Sequence, residues 1–222
     1  MGSWFHSWTG NSGDSEVMSA SNLEILAYEE TALGPLCLRR RRLLSRPDTV
    51  VTEVTLDHEF LMSSLYTASE TALATLALDM HGNSGLRVLV GGLGLGYTAH
   101  AALQSGNVED LVVLELFAEV VAWMNDGLLP LSRQLPADPR LTMRVADFFQ
   151  VMRTAAAEPF DAILVDIDHA PDQLLDEDSA AFYRNEGLRA VRAHLAPGGV
   201  LAVWSSAECP AFLDELRTVF DE

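Results

Sequence analysis

Val88-Leu89-Val90-Gly91-Gly92-Leu93-Gly94-Leu95-Gly96-Tyr97 is the stretch on which the reading of the fold turns. An apolar run enters a glycine-rich turn, and residues 97–104 after it have helical spacing. Glycines let the backbone turn tightly and approach a ligand, and the first amides of a following helix are free to meet one. A plain strand-to-helix turn has the same composition, so the neighbouring segments decide between the two. The spacing is Gly92-x-Gly94-x-Gly96, which differs from the Gly-x-Gly-x-x-Gly of a dinucleotide-binding dehydrogenase.

Outward from this loop the sequence keeps a βα rhythm. Strands are predicted at 86–91, 111–115, 141–145, 162–166 and 200–204, with helices at 97–104, 118–128, 148–157 and 180–194 between them. A helix precedes them at 63–80, where Leu65, Ala68, Leu73, Leu76 and Ala77 form an apolar stripe, and another follows at 210–219. Residues 194–199 read as a helix end followed by a Pro-Gly-Gly turn. Buried apolar strands alternating with helices specify an α/β, doubly wound, mostly parallel Rossmann-like sheet over 63–222. Ahead of it, 22–62 reads as a small antiparallel β unit, with runs at 23–28, 36–38 and 50–56 broken by Gly34-Pro35 and Pro47-Asp48. Residues 1–21, rich in Gly, Ser, Asn and Trp and without a period, are expected to be a flexible leader. Domains of this type usually add an antiparallel hairpin after the fifth strand. None is read before Glu222, so an open sheet edge is expected, and with it pairing into a homodimer.

The net charge of −18 disfavours nucleic acid as a partner and suits a cationic small molecule, although an acidic surface also serves solubility alone. All 14 basic residues are Arg, so no side-chain amine is available for Schiff-base chemistry. The four arginines at 39–42 are expected to be solvated edge residues or partners of nearby acids. Cys37 and Cys209 lie far apart without metal-ligand spacing, so neither a disulfide framework nor a metal site is expected, and a cytoplasmic location is. No signal peptide and no apolar run long enough to span a membrane is read.

Acids then stand at the ends of successive strands. Glu115 closes the second, where a carboxylate accepts hydrogen bonds from both ribose hydroxyls of a nucleoside lying over the glycine turn. Asp147 follows the third, placed to accept from an adenine amino group beside Phe148, or to cap the next helix. The fourth ends in Asp166-Ile167-Asp168-His169. If the chain stays extended, both aspartates point to one side and can hold a substrate ammonium and take its proton. His169 is the alternative base, and loop capping by Asp168 is the structural alternative.

With these residues in place, the chain resembles the spermidine synthase family over about 23–220, and more closely its bacterial spermidine synthase-like relatives. The resemblance rests on 89–96, 113–115, 145–148, 161–171 and 196–204 (Ala-Pro-Gly-Gly-Val-Leu-Ala-Val-Trp), together with the N-terminal β unit. It implies a methyltransferase-type fold, decarboxylated S-adenosylmethionine as co-substrate and aminopropyl transfer to an amine or polyamine. Gly91, Gly92, Gly94, Gly96, Glu115, Asp147 and Phe148 would form the cofactor side. Glu70 and Asp166 would bind the amine, with Asp166, Asp168 and His169 as the catalytic group. Three departures stand out. Gly94 occupies the place of an acid in the family's glycine loop. His169 occupies the place of the family's base, with Asp168 one position early. The family's Tyr-His-Glu is reduced to Ala68-Ser69-Glu70. Methyl transfer from intact S-adenosylmethionine, and a non-catalytic nucleoside-binding member, are the other two readings.

Overall fold

The computed structural model describes residues 22–220 except 157 and 176, with only the backbone of 177 and 178. The expected leader, the end of the helix predicted to reach 157 and the last two residues lie outside the described set.

Four strands, β1 (Leu23–Thr31), β2 (Gly34–Leu43), β3 (Arg46–Leu56) and β4 (Glu59–Ser63), form an antiparallel sheet in that order. The β3–β4 hairpin turns on Asp57 and His58, whose φ angles of 47° and 66° are both left-handed, as a two-residue type I′ turn requires. Its usual sequence signal is Asn-Gly or Asp-Gly, and the absence of that signal left β4 unread. The arginine run lies in β2, an interior strand rather than an edge.

After α1 (Ala68–His81) come β5 (Leu86–Gly91), α2 (Tyr97–Gln104), β6 (Val108–Glu115), α3 (Ala118–Asn125), β7 (Leu141–Val145), α4 (Phe148–Met152) and β8 (Phe160–Val165). A 3-10 segment, Glu177–Tyr183, then leads to α5 (Asn185–Ala193), β9 (Leu195–Val203) and α6 (Pro210–Arg217). The second sheet runs β7-β6-β5-β8-β9, and every pair in it is parallel. This is the doubly wound α/β sheet with a small antiparallel unit ahead of it.

Side-chain alternation along the central strands explains why both faces are covered. Val88, Val90, Ala162 and Leu164 pack in one cluster with α1, α2 and α3, which Leu36, Leu38, Val54 and Leu56 of the antiparallel sheet join. Leu89, Ile163 and Val165 pack in the other with Phe148, Phe182, Leu188 and Phe212.

Several boundaries moved: β6 starts at Val108 rather than 111, α3 ends at Asn125 rather than 128, and α4 ends at Met152 with 153–156 non-helical. The helix expected from 63 starts at Ala68, because Ser63 pairs with Glu53 in the sheet and the Ser64 hydroxyl accepts from the Thr52 amide. The helix expected over 180–194 is a 3-10 segment and then α5, broken at Arg184, whose backbone is extended. The Pro-Gly-Gly turn lies within β9 as an irregularity: Phe160 pairs with Leu195, and Ala162 next pairs with Val200.

Candidate active site

β5 is flanked by β6 on one side and β8 on the other, so the chain winds away from it in both directions. The crevice beyond the carboxyl ends of such strands is where open α/β sheets bind ligands. Two neighbouring cavities occupy it, a small one of about 80 Å³ and a large one of about 500 Å³. Leu61, Met62, Gly94, Asp166 and Ile167 line both.

The small cavity is built on the glycine loop. Gly92 has φ +90°, and a Cβ there would sit 2.2 Å from the carbonyl oxygen of Asp166, so no other residue fits. Gly94, at φ +52°, faces open space, with the Met62 sulfur 3.6 Å from a notional Cβ. Gly91 and Gly96 line neither cavity. Gly91 packs on the Phe148 ring, and Gly96 starts α2 against Leu135 and Met124.

Glu115 is buried in the wall of the small cavity. Its Oε2 accepts from the Leu93 amide at 2.8 Å and its Oε1 from the Phe117 amide at 2.9 Å. Burial pushes its pKa above the usual carboxylate range, while the surrounding backbone amides pull it down. The amides of Gly94 and Leu116 also face this carboxylate, so it sits in a nest of backbone N–H groups. Asp147 lines the same cavity and caps α4, its Oδ1 accepting from the Gln150 amide at 3.1 Å. Phe148 lies largely beneath this surface in the core, 2% exposed, while the half-buried Phe149 also lines the cavity.

The large cavity gathers residues from distant segments. Glu70 comes from α1, Tyr97 from α2, Asp166 and His169 from the segment after β8, and Trp204 from the end of β9. Thr98 donates to Asp166 Oδ2 at 2.5 Å. Burial pushes the Asp166 carboxyl up to about 6; the Thr98 hydrogen bond opposes this and the negative Glu70 adds to it. The same two causes, burial and Glu70, raise the Tyr97 phenol.

Asp168 is placed differently from the sequence expectation of two aspartates side by side on an extended chain. β8 ends at Val165, so strand alternation does not reach Asp168. Its carboxylate accepts from the Leu175 amide at 2.6 Å, the Tyr183 hydroxyl at 2.7 Å and the Ser179 hydroxyl at 3.5 Å, and is 4% exposed. It ties the 168–183 segment together while still touching the cavity wall. Tyr97, Thr98, Phe149, Tyr183 and Trp204 were not singled out by sequence reasoning. Thr98 and Tyr97 stand directly after the glycine loop, where a hydroxyl signal was available. Tyr183 carries no local signal, because its partner lies fifteen residues away across a loop.

The fold is an α/β domain of the methyltransferase-like kind with an N-terminal antiparallel sheet. The same fold is found in a spermidine synthase in complex with the transition state analogue AdoDATO (TM-score 0.65, 20% identity, covering 81% of this chain and 57% of that one). The spermidine synthase from Thermotoga maritima shares it as well (TM-score 0.68, 19% identity, 89% of this chain and 64% of that one). In sequence the chain is similar to Polyamine aminopropyltransferase 1 of Hyperthermus butylicus, 30% identical over 141 residues, 63% of this chain and 46% of that protein. The chain thus spans about half the length of the curated relative that it matches. No family model matches it. Among the described residues, no helix is long and apolar enough to cross a membrane, and no group of three or more His, Cys, Asp or Glu is placed to hold a metal ion.

Proposed function

We propose that the chain carries the catalytic cleft of an aminopropyltransferase, taking decarboxylated S-adenosylmethionine and an amine. The observation that carries this reading is the pair Glu70 and Asp166, two carboxylates close enough for one to raise the other's pKa, in a cavity that shares a wall with the glycine-loop cavity. The relationship to a polyamine aminopropyltransferase supports it.

Glu115 holds the ribose, and Asp147 with Phe149 holds the adenine. Bound co-substrate supplies a carbon joined to a sulfonium sulfur: the amine lone pair forms the C–N bond as the C–S bond breaks, and its electrons leave on sulfur as a thioether. Glu70 and Asp166 hold the incoming amine, and Asp166 accepts the proton that the new C–N bond makes acidic. Its carboxyl, at about 6, is mostly ionised at neutral pH and is still a usable base. Asp168 acts as a positioning residue that fixes the loop carrying His169 and Leu175, and His169 stays in the wall as the second proton acceptor.

Intact S-adenosylmethionine and methyl transfer form a second reading, favoured by Gly94, where an acid would repel that molecule's carboxylate. The test is incubation with decarboxylated S-adenosylmethionine and 1,4-diaminobutane, following thioether release and the lengthened amine by mass. Transfer sustains the first reading, and methylated product from the intact molecule replaces it with the second. Product from neither removes both and leaves nucleoside binding alone. We also propose that the protein acts in the cytoplasm as a dimer. A monomer in sedimentation at micromolar concentration removes the dimer.

A further inference from the structure

We infer that the acceptor bears a carboxylate as well as its reactive amine, and that Arg41 receives that carboxylate. The inference rests on the aminopropyl-transfer reading and specifies the substrate class of the same cleft. It starts from the antiparallel sheet, which supplies a wall of the large cavity through Arg41, Glu53 and the β4 residues.

Glu53 is 3% exposed, and both of its oxygens are taken by arginines two residues apart in β2. Arg39 donates through Nε to Oε2 at 3.1 Å, and Arg41 through Nε to Oε1 at 2.7 Å. One carboxylate between two guanidiniums leaves one positive charge uncompensated. Arg41, not Arg39, lines the cavity, and its side chain is 39% exposed. Arg41 spends only Nε on Glu53 and makes no other side-chain hydrogen bond among the described residues, so its terminal nitrogens remain available. A guanidinium fork in that state matches a carboxylate.

The cavity lining therefore carries groups of both signs, set on different elements. Glu70 and Asp166, on α1 and after β8, suit an ammonium, while Arg41, on β2, suits an anion. A simple diamine satisfies the first and meets repulsion at the second; a diamino acid satisfies both. Trp204 adds to the argument. It lines the same cavity, and its indole N–H is buried without a partner, a donor that an ammonium cannot satisfy and a carboxylate can.

The experiment compares two acceptors that differ only by a carboxylate, 1,4-diaminobutane and 2,5-diaminopentanoate. Each is titrated calorimetrically into the full chain with 5′-deoxy-5′-methylthioadenosine present. The expected result is at least about tenfold tighter binding of the carboxylated acceptor, abolished in Arg41→Gln and partly kept in Arg41→Lys. Arg39 still pairs with Glu53 in both variants, and a thermal melt checks that each is folded. Equal binding, binding of neither acceptor, or a preference that survives Arg41→Gln overturns the inference. So does a variant that weakens intact S-adenosylmethionine and leaves the acceptors alone, which would assign Arg41 to the co-substrate. A transfer assay with both acceptors separates the two levels. Aminopropylated diaminobutane without a binding preference leaves the proposed activity and removes the carboxylate. A binding preference without product does the opposite.

Discussion

Glu115 and Asp168 are both buried acids in the walls of one cleft, yet different parts of the protein hold them. Glu115 is gripped by backbone amides of Leu93 and Phe117, groups positioned by β5 and β6 themselves. Asp168 is gripped by one amide and two hydroxyls from a loop and a 3-10 segment that the sheet does not dictate. The proposed nucleoside half is thus held by the sheet itself, whereas the proposed acceptor half is assembled from side chains of several separate segments. Changing what the second half binds requires no change in the first.

The sharpest way to separate the halves is Asp166→Asn. Turnover is expected to fall ~100-fold or more, the scale of a lost general base, while nucleoside binding in calorimetry stays within about twofold. Equal loss of both would make Asp166 part of the nucleoside half. The wild-type kcat/KM should also rise with pH through about 6, and this limb should vanish in the variant. Stability moves the other way. Because the folded-state pKa is raised, Asp166 favours the folded protein most below the unfolded value near 4, and that contribution is lost as pH rises through about 6. At pH 7 the Asn variant should therefore be more stable by about 1–2 kcal/mol, a gain disappearing near pH 4; denaturant unfolding at both values measures it.

Glu115→Ala attacks the other half and should cost about 2–4 kcal/mol of fold stability, since two buried amides lose their acceptor, as well as nucleoside affinity. A variant with unchanged unfolding would show that those amides find other partners. Tyr183→Phe loosens the acceptor half only. About 1 kcal/mol of stability should go, with KM for the amine rising several-fold and nucleoside affinity unchanged. A fall in kcat alone would contradict a positioning role for Asp168. The smallest effect is expected from Gly94→Asp. Aspartate tolerates the left-handed region better than most residues, and the space is open, so the fold should persist. Preference for the decarboxylated over the intact co-substrate should rise several-fold in competition binding; no change would place Gly94 away from the methionine end.

The same contrast explains what could be read without coordinates. Strand-end residues such as Gly92 and Glu115 were legible because hydrophobic runs fix where parallel strands stop, and those stops are the cleft. For Asp168 the sequence left two readings open, a cavity acid beside Asp166 or a loop cap; it lines the large cavity and also fastens the loop, although β8 ends at Val165. β4 was unread because Asp57 and His58 turn the chain without glycine, and Leu61 and Met62, which roof both cavities, were lost with it. Arg41 was read as one of four equivalent charges. Only strand pairing shows that two of them share one buried Glu53.

The segment after β8 walls both cavities: Leu175 touches the small one, His169 the large one, and Asp168 fastens Leu175 between them. A catalyst built this way has a preferred sequence of arrivals and departures. A nucleoside seated against Leu175 braces the floor on which the second substrate lands, so it should bind first and its spent thioether should leave last. In steady-state kinetics 5′-deoxy-5′-methylthioadenosine should then compete with the nucleoside co-substrate and not with the amine. Competition with both would mean that the shared segment does not impose an order.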